Sequence, residues 1–454
     1  MKKLVLLFTL VAFGFAFVSC GETTTEEVTT ATTAEQTTAG PEMAQGVTET
    51  TIKVGNTAAV SGFLAFVGIP FNAAIEAVFK QVNDAGGIDG RTIEFVSYDD
   101  TFDAALGVTY TETLVEDDEV FALVGHFGTP TVGATIDYIQ EKGVPMVYAA
   151  TGINALYFEE SLGNPVMAVQ PIYMTDGRIM TSRAIMEKVY GAGEDEALAA
   201  DGTIGVLYTN DDVGNSIKAG VEAEMAALGI AANRVYYIAV TDLTVDTAIL
   251  LLKGYGVSSV ICAMNQGPFA YTLTSMYNQT LEVPVFSSYV NADVSAVDHT
   301  QFSAARPVYT NAWVDIFSEK GQLDVDDYVA CIAQADLTDE EKAAYYTNSY
   351  ATAGYIAAMV FVAGLERVAA NGEDLTWDNY IAAMEESPID IPMGGTVDFS
   401  GGKRWGISAM SLLKYDFVLG DDPTTTDVVE TDFVIESFGK VREIETLLEI
   451  EAKS

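Results

Sequence analysis

Two α/β lobes built on parallel sheets are the fold predicted for this chain, and three observations predict it. Apolar strands alternate with amphipathic helices along most of the sequence, the alternation begins afresh after about Gln170, and the roughly 400 residues able to order exceed one ordinary hydrophobic core. Strand–helix alternation requires crossover connections, so the sheets should be parallel with helices on both faces.

The first unit opens at Thr51 with an apolar strand and a small-residue loop. A helix over Phe71 to Val82 and the turn Asn83-Asp84-Ala85-Gly86-Gly87-Ile88-Asp89-Gly90-Arg91 follow, and a strand from Ile93 to Tyr98 leads to Asp99-Asp100. Further strands are expected at Val120 to Gly125, Pro145 to Ala149, Thr203 to Tyr208, Val235 to Val240, Ser259 to Met264 and Pro284 to Ser288, each rich in β-branched residues. Between them the apolar spacing predicts helices at Ala104 to Leu114, Val132 to Glu141, Arg178 to Val189, Ser216 to Leu228, Val245 to Tyr255 and Phe269 to Tyr277. A long helical stretch is expected from Glu340 to Val368. The acidic segment from Phe317 to Asp339, with Asp324, Asp326 and Asp327, reads as an inserted solvated loop, since it lacks the glycine and terminal glutamate of a calcium loop.

The N-terminus has the pattern of a secretory signal: Lys2 and Lys3, an apolar run from Leu4 to Val18, then Ser19-Cys20. Phe17-Val18-Ser19-Cys20 resembles a lipobox with Phe17 where leucine is usual, which makes residues 1–19 a signal peptide and Cys20 the lipid anchor. Residues 20–50, dominated by Thr, Glu and Ala, cannot bury enough surface to offset their ordering entropy and are expected to form a disordered tether. Beyond residue 50 no run of about 20 apolar residues is apparent.

Acidic residues outnumber basic ones 65 to 22, for a formal charge of −43. That balance leaves no basic patch and argues against nucleic acid as a partner. Cys262 lies in an apolar strand and reads as a small buried residue, with a disulfide to Cys331 left open. The two histidines, His126 and His299, stand in unrelated settings. No HExxH, Walker loop, GxSxG elbow or GxGxxG is present, so no enzyme activity is expected.

The turn at Asn83 to Arg91 and the following Asp99-Asp100 resemble the "IN-AGGI-GR" turn and "DD" of the type I periplasmic solute-binding proteins, the branched-chain amino-acid-binding family of ABC-transporter lipoproteins. The resemblance implies two Rossmann-like lobes joined by three hinge segments, near Gln170 to Tyr173, Ala305 to Asn311 and Met393 to Val397. Residues 51–171 and 310–393 would form lobe one, residues 172–309 and 394–440 lobe two, and residues 441–454 a tail. It implies a small-molecule solute, an ABC permease with its ATPase subunits as partners, an extracytoplasmic membrane-anchored location, and no cofactor or metal. A surface lipoprotein that senses ligand for a signalling partner is the alternative.

Ligands of open α/β sheets bind beyond the carboxyl ends of strands. Gly128 and Thr129, after the third strand, match the family's carboxylate-gripping turn, and Ala150 and Thr151 match its "S-A-T-N-P-x-L" turn. His126 is expected to be structural. Phe66 and Tyr345 match positions that wall the side-chain pocket. In lobe two Tyr173 and Tyr289 stand where the family's amino-acid binders carry acidic residues, and Asn265 replaces a usual aromatic. A ligand with a carboxylate or polar oxygen but no α-ammonium is therefore expected, because an ammonium needs anionic partners.

Overall fold

The computed structural model describes residues 43–191, 193–421, 428–437 and 445–446. The expected signal peptide, Cys20 and most of the tether lie outside the described residues, as does nearly all of 441–454.

Order begins before residue 50. The Ala44 N–H donates to Leu375 O (3.1 Å), the Gln45 amide to Val115 O (2.7 Å) and Val120 O (3.2 Å), and Val47 is buried in the core. The sequence around these positions is polar, and the backbone partners that order it lie 70 and more residues away.

Lobe one starts with β1 (Thr51–Ala58), α1 (Ala65–Asp84), β2 (Thr92–Asp99), α2 (Ala104–Glu112), β3 (Ala122–Val124), α3 (Thr129–Lys142), β4 (Met146–Val147) and β5 (Val166–Met167). All pairings are parallel, in the order β2-β1-β3-β4-β5, with Thr51 opposite Thr92 and Val54 opposite Ala122. Asp99 and Asp100 tie the turn after β2. Asp99 accepts the N–H groups of Val60 and Thr101, while Asp100 accepts the hydroxyls of Thr131 (2.6 Å) and Thr57 (3.0 Å) and the Phe102 N–H. Thr101 and Phe102 both take positive φ there.

Lobe two follows with α4 (Tyr173–Met186), β6 (Ile204–Thr209), α5 (Asp212–Ala227), β7 (Val235–Val240), α6 (Val245–Tyr255), β8 (Ser259–Ala263), α7 (Gln266–Asn278), β9 (Val285–Ser287) and β10 (Val308–Ala312). The chain then returns to lobe one through α8 (Glu319–Gln334), α9 (Asp339–Tyr345), α10 (Ser349–Asn371), α11 (Trp377–Glu385), β11 (Ile389–Asp390) and β12 (Thr396–Val397), and ends in lobe two with β13 (Ala409–Asp421) and β14 (Val428–Ser437). The second sheet runs β14-β13-β10-β9-β8-β6-β7, parallel from β7 to β10 and antiparallel beyond.

The first crossing falls at the expected place. The second lies after Ala312, because β10 pairs with both β9 and β13. The third comes later still: the buried Arg404 donates to Asn164 O (2.8 Å) and pairs with Glu385, and the Ile407 N–H reaches Val169 O (2.9 Å), which hold that stretch on lobe one.

The expected acidic loop is α8. Ser318 caps it by accepting the Gly321 N–H, and Tyr328, Cys331 and Ile332 form its buried stripe beneath an acidic outer face. The long helix predicted from Glu340 is broken into α9 and α10 by Asn348, which caps α10. Helices α1 and α10 are long and apolar enough to cross a bilayer, yet each is mostly buried and they pack on one another as the core of lobe one. Each large side chain fully buried there contributes roughly 1.5–3 kcal/mol. Cys262 and Cys331 are both free and buried, one in β8 and the other in α8.

Candidate functional site

The carboxyl ends of both sheets face a shared cavity of about 520 Å³, partly open to solvent. The strand-end turns of lobe one form one wall. After β3, the Phe127 N–H donates to Thr57 O, and Gly128 with φ +100 turns the chain into α3, whose N-terminus has no side-chain cap. After β4, the Ala150 N–H donates to His126 O (2.8 Å) and the Gly128 N–H to Ala150 O (3.3 Å), which locks the two turns side by side.

Thr129 and Thr151 join here through their hydroxyls, 2.7 Å apart, and the Tyr173 hydroxyl at the start of α4 lies against both. Three hydroxyls therefore converge in front of the positive end of a helix, an arrangement suited to an anion. His126 sits behind, fully buried. Its Nδ1 accepts the Thr57 N–H (3.4 Å), which places the proton on Nε2, facing the Thr111 hydroxyl at 3.1 Å. Burial lowers its pKa to about 3, so the ring is neutral, as a structural histidine should be.

The cavity brings together Gly128, Thr129, Ala150, Tyr173, Asn265 and Tyr289. Thr151 lies one layer behind, buried against Thr129. Tyr345 is not on the wall: it ends α9 and its carbonyl accepts the Tyr328 hydroxyl, while the next residue, Tyr346, lines the cavity. Phe66 stands outside on the first turn of α1, its ring packed edge-on against the lining Tyr350 at 5.9 Å. The Tyr289 hydroxyl serves the hinge, donating to Pro171 O (2.8 Å) and accepting from the Gln170 amide (3.0 Å). Asn265 caps α7 by accepting the Gln266 N–H (3.1 Å).

The sequence reading missed most of the remaining wall. Phe71, Phe127, Tyr148, Trp313, Tyr328 and Tyr350 make it aromatic, and they come from β-strand turns, the second hinge and two helices. Among the described residues the lining has no Lys, Arg or His, and its one carboxylate is Asp293. That carboxylate already holds four donors: Ser295 N–H (3.0 Å) and hydroxyl (2.6 Å), and Ser349 N–H (3.1 Å) and hydroxyl (2.8 Å). A carboxylate has about four acceptor sites, so none is left for a ligand ammonium.

Two parallel-sheet lobes closing on one cavity lined by strand ends and helix N-termini define a bilobed solute receptor. Residues 51–421 match the model of the periplasmic binding protein family, and the chain belongs to that family of extracytoplasmic, generally non-enzymatic solute-binding proteins of the ABC-transporter type. It is similar to a Leu/Ile/Val-binding protein homolog 2 of Brucella abortus, 29% identical over 201 residues, which make 41% of this chain and 53% of the relative. The match thus spans about half of that relative's length. In structure it resembles a fatty acid ABC transporter substrate-binding protein from Thermomonospora curvata, with TM-score 0.65, 20% identity, and 89% and 96% of the two chains covered. It also resembles an ABC-transporter solute-binding protein from R. palustris in complex with benzoate, with TM-score 0.63, 17% identity, and 86% and 98% covered.

Proposed function

We propose that this chain is the solute receptor of an ABC importer that captures a carboxylate with an apolar body by closing its lobes, while tethered to a membrane through lipidated Cys20. The single observation that carries the reading is the division of the cavity. One end gathers the Thr129, Thr151 and Tyr173 hydroxyls before the N-terminus of α3, and the rest is aromatic or aliphatic with no free counter-charge for an ammonium. The ligands named for the similar proteins differ in one respect: the branched-chain amino acids carry an ammonium, whereas fatty acids and benzoate do not. The wall described above favours the second group, since burying an unpaired ammonium is costly.

Trp313 lines the cavity, and the other two tryptophans are engaged elsewhere, Trp377 with Phe121 O and Trp405 with Tyr157. Its fluorescence should therefore follow binding. Titration with benzoate, octanoate and leucine is expected to give binding by the acids and weak or absent response to leucine. Thr129→Ala should weaken the acids by about 1–3 kcal/mol. Tight leucine binding, or acids bound equally by the variant, would overturn the reading.

A further inference from the structure

A chain of ring contacts leads from the depth of the cavity to the outside of lobe one. Trp313 lies 6.3 Å from Tyr148, Tyr148 6.1 Å from Phe71, Phe71 5.7 Å from Phe127, and Phe127 6.4 Å from Phe102. All five line the cavity. The next ring, Phe63, stands edge-on to Phe102 at 5.8 Å and is 66% exposed. Phe66 at 46% and Ile69 at 45% exposure continue from it at three-residue spacing, while Leu64, Val67 and Phe71 on the same segment turn inward to the cavity. One short stretch of chain thus supplies both the inner wall and an exposed apolar rim, and the wall does not become polar where it meets solvent.

We propose that this rim is part of the ligand site: the bound acid is an amphiphile whose hydrocarbon chain follows the ring track and emerges against Phe63, Phe66 and Ile69, so that these residues set the preferred chain length. The proposal rests on the reading of the cavity as a carboxylate trap. Three large apolar side chains exposed on a protein of formal charge −43 are the reverse of what solubility favours, and continuity with the cavity wall points to the ligand as what covers them. The two positive-φ residues Thr101 and Phe102 hold the linking ring in place, fixed by the Phe102 N–H donated to Asp100 (2.9 Å).

The test is Trp313 fluorescence and calorimetry with straight-chain carboxylates from butanoate to hexadecanoate below their micellar concentrations, on the wild type, Phe63→Ser/Phe66→Ser and Ile69→Ser. Because these side chains are exposed, the variants should melt with the wild type. Affinity is expected to rise about fourfold per methylene to the longest acids, from the transfer free energy of a buried CH₂. The double variant should lose tenfold or more for tetradecanoate and longer, and less than twofold for hexanoate. An affinity that levels off by octanoate and ignores the rim variants overturns the rim while leaving the carboxylate trap intact. Straight-chain alcohols binding as well as the acids, with the same rim dependence, overturns the trap and keeps the rim. A wild-type dimer dissolved by the double variant, with chain-length dependence unchanged, assigns the face to a second copy and overturns the proposal.

Discussion

Asp293 on lobe two and Ser349 in the first turn of α10 on lobe one are joined across the cleft, the carboxylate accepting the serine N–H at 3.1 Å and its hydroxyl at 2.8 Å. The anion also sits at the positive end of α10, where it caps the helix dipole. On the far side of the cleft the Asn154 amide donates to Ser216 O at 3.1 Å, so lobe contact is direct in two places. These bonds favour closure without solute and add to whatever the solute contributes. Ser349→Ala removes one of the two bonds to Asp293 and should shift the ligand-free protein toward an open form. Solute affinity should fall by about 1–2 kcal/mol, the value of a hydrogen bond to a charged acceptor. Small-angle scattering and titration would check this, and an unchanged radius of gyration with unchanged affinity would dismiss the latch.

Two buried groups titrate in opposite senses. Burial lowers the pKa of His126 to about 3, so between its unfolded value of 6.5 and that point the unfolded chain binds the extra proton. Stability therefore falls with falling pH across that window, by about 1.4 kcal/mol per unit. Asp176, in the first turn of α4, accepts the Asn311 amide at 2.8 Å, and burial raises its pKa from 3.8 to about 6. Between those values the folded chain binds the extra proton, and stability rises as pH falls. The two slopes oppose one another from about pH 6 to about pH 4. Asp176→Asn should uncover the histidine slope, making the variant lose stability faster than the wild type over that range. Urea unfolding at half-unit steps would show it, and parallel pH profiles for the two proteins would refute the pairing.

The sheet and its turns were legible because their signals are local. Val235–Val240 and Val245–Tyr255 fall at their expected bounds, the helix closed by Gly256 at φ +67. The hydroxyl cluster was legible for the same reason, since Thr129 and Thr151 follow strand ends in sequence as they do in space. The segment at 317–339 was misread because Asp324, Asp326 and Asp327 dominate its composition, while the stripe of Tyr328, Cys331 and Ile332 needs the surface of α1 to show as a buried face. Tyr345 and Tyr346 differ by one helical position, about 100° around the axis, and local sequence does not say which faces the cavity. Trp313 and Tyr350 carry no mark that separates a lining aromatic from a core one until the lobes are brought together.

Tyr148 combines a positive φ of 57° with a fully buried hydroxyl that has no hydrogen-bond partner among the described residues. A buried donor left unpaired costs about 1–3 kcal/mol. Tyr148→Phe keeps the ring between Phe71 and Trp313 and removes the orphaned group. The ligand-free variant should be more stable by about 1 kcal/mol in urea unfolding. A loss of stability would mean that the hydroxyl is paired in solution.

Helices α1 and α10 approach closest at Gly354, where an added Cβ would stand 2.0 Å from the carbonyl oxygen of Phe71 and 2.8 Å from its carbon. Both are backbone atoms and cannot rotate aside, so Gly354→Ala must separate the helices or bend one of them. The separation would reach the cavity, because Phe71 and Tyr350 line it from the two helices concerned. A stability loss of about 2–3 kcal/mol is expected, together with weaker acid binding. Gly267→Ala is the matched control: it lies in α7 with nothing within 4 Å of its added Cβ, and alanine there should be neutral or slightly stabilising through helix propensity. If urea unfolding gave Gly354→Ala the same midpoint as the control, close contact between the two helices would not be what holds lobe one together.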